Sequence, residues 1–254
     1  MKLPIIGILS GVALATLGIS SAAQAAILLP SLTPGSQYRL VFVTSGTRNA
    51  TSTNIADYNQ FVNNAAQAST NLNTALTTAG LTPSAINWTA IGSTATVNAR
   101  VNTATRSTDP NVPIYRVDGI QFEANPQQFL WDNSINRVRG IKITEMGDEY
   151  NGRVHTGTEA DGSTLFFRLG NSFVGVPPQP GAPFVRYGLS GDDLSRGSWV
   201  SSGNGSATAL LPFYGISSVI TVPNATATPE PSSLLSFITL GGLILGGAVR
   251  GVRK

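Results

Sequence analysis

The alternation of hydrophobic and polar residues predicts a strand and then one long helix near the start of the chain. The strand covers residues 38–44, an aromatic and β-branched run enclosed by Pro-Gly and Ser-Gly pairs. Beyond it, apolar residues recur at three- and four-residue steps, as they do along one face of a helix. Thr53 or Asn54 can cap this helix, and Gly80 can end it. The apolar face consists of Ile55, Tyr58, Phe61, Val62, Ala65, Leu72 and Leu76.

From residue 87 onward the apolar stretches become short, and turn residues separate them. The clearest unit is a hairpin over residues 113–123, with Asp118 and Gly119 at its turn. Helical turns are expected within residues 94–101 and a proline-rich surface loop at 175–183. A further turn is expected at 159–162. The other predicted strands are 140–145, 154–158, 164–169 and 213–222.

These elements predict a single mixed α+β domain over residues 26–222, with one long amphipathic helix and several short antiparallel strands. A chain of this size buries roughly 70% of its unfolded surface, which is enough to build a core. Cysteine is absent, so disulfides, thiol catalysis and thiolate metal sites are excluded. Trp88, Trp131 and Trp199 stand among core-forming residues, and we expect at least two of them to be buried.

Residues 1–25 have the pattern of a secretory signal peptide. Lys2 supplies a positive start, residues 5–19 form an apolar segment, and small residues occupy the positions before the cleavage point. We expect signal peptidase to cut between Ala25 and Ala26, so that the mature protein is exported.

A second apolar segment lies near the other end of the sequence. Residues 232–249 are 18 uncharged residues, close to the roughly 20 that a membrane-spanning helix needs. Arg250, Arg253 and Lys254 follow, and positive charge stays on the cytoplasmic side of a membrane. We therefore expect a C-terminal transmembrane helix, with 250–254 inside the cell and the domain outside it.

Pro229, Glu230 and Pro231 precede this helix, within a linker over residues 223–231. The motif, a single apolar helix and a basic end resemble, in the same order, the PEP-CTERM sorting signal of Gram-negative bacteria, cyanobacteria included. The resemblance implies that an exosortase processes the tail at the membrane. Two prolines also prevent a regular helix and leave an extended segment that a protease can bind. An ordinary C-terminal anchor is the alternative.

The order of elements in the domain resembles a known fold as well. A strand, a long helix, a tryptophan and then short strands with long loops is similar to the C-type-lectin-like fold, especially its disulfide-poor, endostatin-like bacterial variants. The sugar-binding elements of calcium-dependent lectins are not carried over, because residues 123–125 and 131–133 differ from them in residue order. The local matches are residues 87–90, 98–100, 130–132, 141–147, 154–158 and 198–199.

The charge distribution gives no reason to expect a nucleic-acid partner. The whole chain has a net charge of +3, but Lys2, Glu230, Arg250, Arg253 and Lys254 belong to the targeting segments. Without them 12 basic and 12 acidic residues remain, so the domain is formally neutral. Its many Ser, Thr, Asn and Gly residues suit contact with hydrated polysaccharide or with other copies of the chain, and they equally suit a domain that is merely soluble outside the cell.

Few residues offer catalytic or metal-binding chemistry. His155 is the only histidine, and its place in an alternating strand favours a packed or rim histidine over a catalytic base. Glu145, Asp148 and Glu149 offer oxygen ligands of the kind that calcium accepts, although a solvated turn is the preferred interpretation. Phosphate-binding, dinucleotide-binding and serine-hydrolase motifs are absent, and no cofactor is expected.

We therefore predict an exported, non-enzymatic module that recognises extracellular polysaccharide or a partner protein at the cell surface or in the matrix. Exposed Trp and Tyr side chains would form its contact platform, with Arg at the edge. One alternative is a hydrolase that uses the acidic cluster near His155, with Glu159 or Asp161 as acid or base beside Glu145. The other is a structural matrix protein without a specific ligand.

Overall fold

The computed structural model describes residues 27–134, 137–171 and 183–224. Within these ranges no helix is both long and apolar enough to cross a membrane. Both predicted targeting segments and most of the predicted proline-rich loop lie outside the described residues. So do the cleavage pair Ala25 and Ala26, the motif residues Pro229, Glu230 and Pro231, the predicted span 232–249, and the basic residues Arg250, Arg253 and Lys254.

The described ranges form a mixed α+β unit with mostly antiparallel sheets, which confirms the predicted class. Its strands are β1 (Gln37–Val43), β2 (Trp88–Ala90), β3 (Ile114–Arg116), β4 (Gln121–Glu123), β5 (Gly152–His155), β6 (Phe184–Ser190), β7 (Gly203–Ser206), β8 (Tyr214–Ser217) and β9 (Ile220–Thr221). Its helices are α1 (Ile55–Ala68), α2 (Thr70–Thr78), α3 (Ala99–Asn102) and α4 (Pro126–Phe129), with a 3-10 turn at Pro83–Ala85.

Strand β1 lies at the centre of the larger sheet, whose order is β2-β8-β1-β3-β4, with β9 also paired to β1. It runs parallel to β3 and antiparallel to β8 and β9. Leu40 and Phe42 belong to one core cluster, and Val41 and Val43 to the other. A strand that is covered on both faces has a nearly continuous hydrophobic run, and the four apolar residues at the end of β1 form one, which explains why the sequence predicted this strand.

The smaller sheet has the order β5-β6-β7, and a bridge between His155 and Phe213 joins it to the start of β8. Strands β6 and β7 are absent from the elements predicted by the sequence pattern. Strand β7 is Gly-Asn-Gly-Ser and has no apolar side chain, so it is a strand only because β6 pairs with it. The smaller sheet therefore forms through pairing between segments that are distant in the sequence, and the local pattern does not predict it.

Two predicted strands are wrong. Residues 140–145 form only isolated bridges, such as the one between Thr144 and Val43, because the chain turns back at Gly147. Residues 164–169 form no strand, since their main-chain groups bond to separate segments: the Leu169 N–H donates to Ser93, and the Phe167 carbonyl accepts from Arg186. The predicted last strand is present but divides into β8 and β9.

Local turn chemistry predicted the hairpin correctly. Strands β3 and β4 pair in antiparallel fashion, and Gly119 at their turn has a φ of +80°. This left-handed conformation is open to glycine at little cost. The Asp118 carboxylate accepts the N–H of Ile120 at 3.3 Å and so stabilises the same turn.

The predicted long helix is interrupted at Ser69, so the prediction of a single helix is wrong. Its start is correct, because the Asn54 side chain accepts the N–H of Ala56 at 3.1 Å. Ser69 is extended, with φ −75° and ψ 109°. Its hydroxyl accepts the Leu72 N–H and donates to the main-chain carbonyl of Glu145. A contact with a loop 76 residues away thus divides the helix into α1 and α2.

The tryptophan prediction is confirmed, because Trp88 and Trp199 are only 2% and 1% exposed. Trp88 packs edge-on against Phe42, with ring centroids 5.1 Å apart, and Trp199 packs against Phe122 at 5.4 Å. Trp131 is half-buried beside Trp199 and donates its ring N–H to a threonine hydroxyl. Trp88 therefore belongs to one core cluster and Trp199 to the other.

Candidate ligand-binding cleft

The break between α1 and α2 organises a local site around Glu145. The Ser69 hydroxyl holds the main chain of Glu145, and the side-chain amide of Asn71 donates to the Met146 carbonyl at 2.6 Å. The Glu145 carboxylate in turn accepts the N–H of Ser45 at 2.9 Å and also the Ser45 hydroxyl. Three segments that are far apart in the sequence are fixed together by these bonds.

A cleft of about 390 Å³ opens where these segments meet. One wall is the face of α1 that Phe61 and Ala65 occupy, and both residues are only half-buried. The full lining consists of Ser45, Gly46, Phe61, Asn64, Ala65, Ala68, Ser69, Glu145 and Met146. Apolar groups thus form most of the surface, with a few hydroxyl, amide and carboxylate groups among them, which is the usual composition of a small-molecule site.

Arg48 lies close to this cleft but does not line it. Its guanidinium stacks 4.6 Å from the Tyr58 ring centre and 5.7 Å from that of Phe61, and it donates to the Asp57 carbonyl at 2.6 Å. These contacts hold the Arg48 guanidinium against the start of α1. They thereby attach the loop that carries Ser45 and Gly46 to that helix.

Glu145 differs in its partners from two other carboxylates that are at least partly buried, Glu123 and Glu159. Glu123 pairs with Arg137 at 2.9 Å, and Glu159 pairs with Arg186 at 2.6 Å. Glu145 is only 3% exposed, yet no ion pair within the described ranges includes it. Its carboxylate is held by the hydroxyl and N–H of Ser45, which carry no charge.

The three acidic residues suggested as calcium ligands do not act together. Asp148 and Glu149 are exposed on a turn, and Glu149 pairs with Lys142 at 2.8 Å. Hydrogen bonds from Lys142 and Asn151 lower the pKa of Glu149. In the ranges that the structure describes, no group of three or more acidic or histidine side chains is placed to hold a metal ion. The solvated-turn interpretation fits Asp148 and Glu149 but is wrong for the buried Glu145.

His155 is a packed histidine, one of the two places, core or rim, that the strand pattern predicted. It is fully buried, its ring stacks on Phe213 with centroids 5.6 Å apart, and Nε2 lies 3.0 Å from the Ala209 carbonyl. Nδ1 has no hydrogen-bond partner in the part of the chain that the structure describes. Burial lowers the pKa of His155, against a smaller opposite effect of the bond to Ala209. The ring is therefore neutral and out of reach of a substrate.

The other acidic candidates also have structural partners. Glu159 accepts both from Arg186 and from the Ser201 hydroxyl at 3.3 Å. Asp161 accepts the N–H and hydroxyl of Ser163 in a local turn. Neither residue lines the cleft that contains Glu145, so the proposed acid–base pairing has no geometric support there.

The expected platform of exposed Trp and Tyr side chains is wrong for the described residues. No Trp or Tyr is among the large hydrophobic side chains that are exposed there, because these rings pack into the core or against neighbouring strands. The nearest match is Tyr187, which is half-buried with the Arg153 guanidinium 4.6 Å from its ring centre. The exposed large hydrophobic residues are Leu28, Val101, Ile120, Val138, Leu165, Phe166 and Leu210.

No protein-family model and no curated protein sequence matches this chain. The two family resemblances consequently depend on the residues and the element order that suggested them. The sequence had singled out Glu145, but it gave no signal that Ser45, Asn64 and Met146 would surround it. The only available clue was the serine within the predicted helix, whose hydroxyl can bond outside the helix as well as cap it.

Proposed function

We propose that this chain is an exported cell-surface or matrix protein whose C-type-lectin-like domain binds extracellular polysaccharide. Signal peptidase would release the mature chain between Ala25 and Ala26. An exosortase-type enzyme would then act at Pro229, Glu230 and Pro231 while the C-terminal helix holds the protein in the membrane. The observation that supports the binding role is the cleft around Glu145, which has the size and lining of a ligand site.

The lining of the cleft suits a sugar ring. The apolar C–H face of a ring can lie against Phe61 and Met146, while ring hydroxyls bond to the polar groups between them. The side chain of Asn64 both donates and accepts. An ionised carboxylate has about four acceptor positions, and Ser45 uses two of those of Glu145. The remaining positions have no donor among the described residues, and we propose that hydroxyl groups of a ligand bond to them.

The element order supports the C-type-lectin-like part of the proposal. The first strand is followed by two helices, then by the strand that begins with Trp88, then by short strands and long loops. The final strands β8 and β9 return to pair with β1, so the two ends of the domain are adjacent. A chain that leaves such a domain at residue 224 can continue directly into the linker and the tail.

A hydrolase has less support than a binding module. The cluster that would supply its carboxylates divides into the buried Glu145 and the exposed Asp148 and Glu149. His155 packs against Phe213 in the core. A structural matrix protein without a ligand stays as the second candidate, and it makes no use of the cleft.

A glycan array with the mature exported protein tests the proposal. We expect binding to a subset of polysaccharide fragments, and Asn64→Ala should weaken it because Asn64 lines the cleft. Gln60→Ala is the matched control, since Gln60 is exposed on the same helix but is not among the lining residues. Binding that neither substitution changes would place the ligand elsewhere, and an array without any binding would favour the structural role.

A further inference from the structure

The unpaired carboxylate of Glu145 indicates which charge a ligand of the cleft carries. A carboxylate that is removed from water is normally paired with a cation, because neutral donors only partly replace its hydration. In this chain Glu123 follows that rule through Arg137. Glu145 is buried to a similar extent, but among the described residues its carboxylate accepts hydrogen bonds only from the N–H and hydroxyl of Ser45.

Two positive side chains of this region, Lys142 and Arg48, are held by groups other than Glu145. Lys142, the one lysine of the described ranges, is held between Glu149 and Asp192, each at 2.8 Å. Arg48 is held by the Asp57 carbonyl and the Tyr58 ring. Within the described residues no positive side chain lies within ion-pair distance of Glu145, although this residue lines an open cleft.

We infer that the ligand supplies this charge and that the cleft binds an amino sugar with a free ammonium group. The ammonium would pair with Glu145, the ring would lie on Phe61 and Met146, and a ring hydroxyl would bond to Asn64. This inference rests on the proposed polysaccharide binding and specifies the class of sugar. N-acetylation removes the charge, so an acetylated sugar loses the ion pair and keeps the other contacts.

The dimensions favour a sugar unit over the side chain of a partner protein. The cleft has about 390 Å³, near the lower end of the roughly 300–1,000 Å³ that ligand pockets span. A stable protein interface buries about 800 Å² on each partner, usually around exposed apolar anchors. The exposed Leu165, Phe166 and Leu210 are not among the residues that line the cleft.

Calorimetric titration of the mature exported protein separates the possible ligands. The probes are a glucosamine tetramer, its N-acetylated form, a neutral glucose tetramer and tetralysine. We expect the glucosamine tetramer to bind about ten-fold more tightly than the two neutral sugars. Glu145→Gln should abolish the difference while leaving the weak binding of the neutral sugars.

A second pair of variants keeps the test decisive if Glu145→Gln destabilises the fold. Asn64 is exposed on α1 and lines the cleft, so a charge can be placed there without disturbing the core. We expect Asn64→Asp to tighten the binding of glucosamine several-fold and Asn64→Lys to weaken it by a similar factor. Gln60→Asp and Gln60→Lys, on the same helix outside the cleft, are the controls for the long-range effect of charge.

The outcomes distinguish this inference from the proposal on which it rests. Equal binding of charged and neutral sugars, unaffected by the charge at residue 64, would overturn the amino-sugar inference and leave polysaccharide binding intact. Failure of every sugar to bind would overturn both. Tetralysine binding without sugar binding would also overturn both and would assign the cleft to a basic peptide.

Discussion

Replacing Ser69 by alanine tests whether this residue holds the helix pair and the Glu145 loop together. The substitution removes a helix N-cap, because the Ser69 hydroxyl accepts the Leu72 N–H. Loss of a serine cap costs about 1 kcal/mol. The same hydroxyl donates to the Glu145 carbonyl, the one hydrogen bond that this carbonyl makes with the described residues. Leaving a buried acceptor unpaired costs about 1–3 kcal/mol. We therefore expect Ser69→Ala to lower the free energy of unfolding by about 2–4 kcal/mol.

Urea denaturation of the mature protein measures this loss. The slope of unfolding free energy against urea is about 1–3 kcal/mol per molar and increases with chain length, so the midpoint should fall by about 1 M. Thr70→Ala is the matched control: Thr70 is exposed at the start of α2, and alanine has the higher helix propensity. A loss below about 0.5 kcal/mol for Ser69→Ala, the range of ordinary surface substitutions, would refute a joint structural role for its two bonds.

Three further substitutions address the core, pH dependence and sorting. Trp88→Ala should cost about 3–5 kcal/mol in urea denaturation, because the ring is buried against Phe42. Burial lowers the pKa of His155 below its ordinary value of 6.5, so the unfolded state binds more protons below that pH. Stability should consequently fall as the pH drops from 7 towards 5, and His155→Gln should flatten this dependence in thermal melts. Glu230→Ala should leave a full-length protein in the membrane fraction, whereas the wild type gives a shortened product on a blot with an antibody to the domain.

Each of these expectations has a clear contrary result. A loss below 1 kcal/mol for Trp88→Ala would contradict its place in the core. An unchanged pH profile in His155→Gln would assign the pH dependence in that range to other groups. Identical products from wild type and Glu230→Ala would end the sorting hypothesis and leave an ordinary membrane anchor.

The sequence by itself determined the features that depend on neighbouring residues. Strand β1 followed from a continuous hydrophobic run, and the start of α1 followed from the capping side chain of Asn54. The hairpin followed from the turn chemistry of Asp118 and Gly119, since glycine adopts a positive φ easily. The strand position of His155 likewise favoured a packed or rim histidine over a catalytic base, and the residue is packed. In each case the sequence signal lies within a few residues, even where the packing partner is distant, as Phe213 is from His155.

Tertiary structure decided the features whose partners are distant in the chain. Ser69 leaves the helix because its hydroxyl meets a carbonyl 76 residues away, and Glu145 is buried because Ser45, 100 residues away, bonds to its carboxylate. Asp148, only three residues further on, is exposed. Strand β7 has no apolar side chain and owes its conformation to pairing with β6. Local patterns carry no information about such long-range contacts, and the candidate cleft consists almost entirely of them.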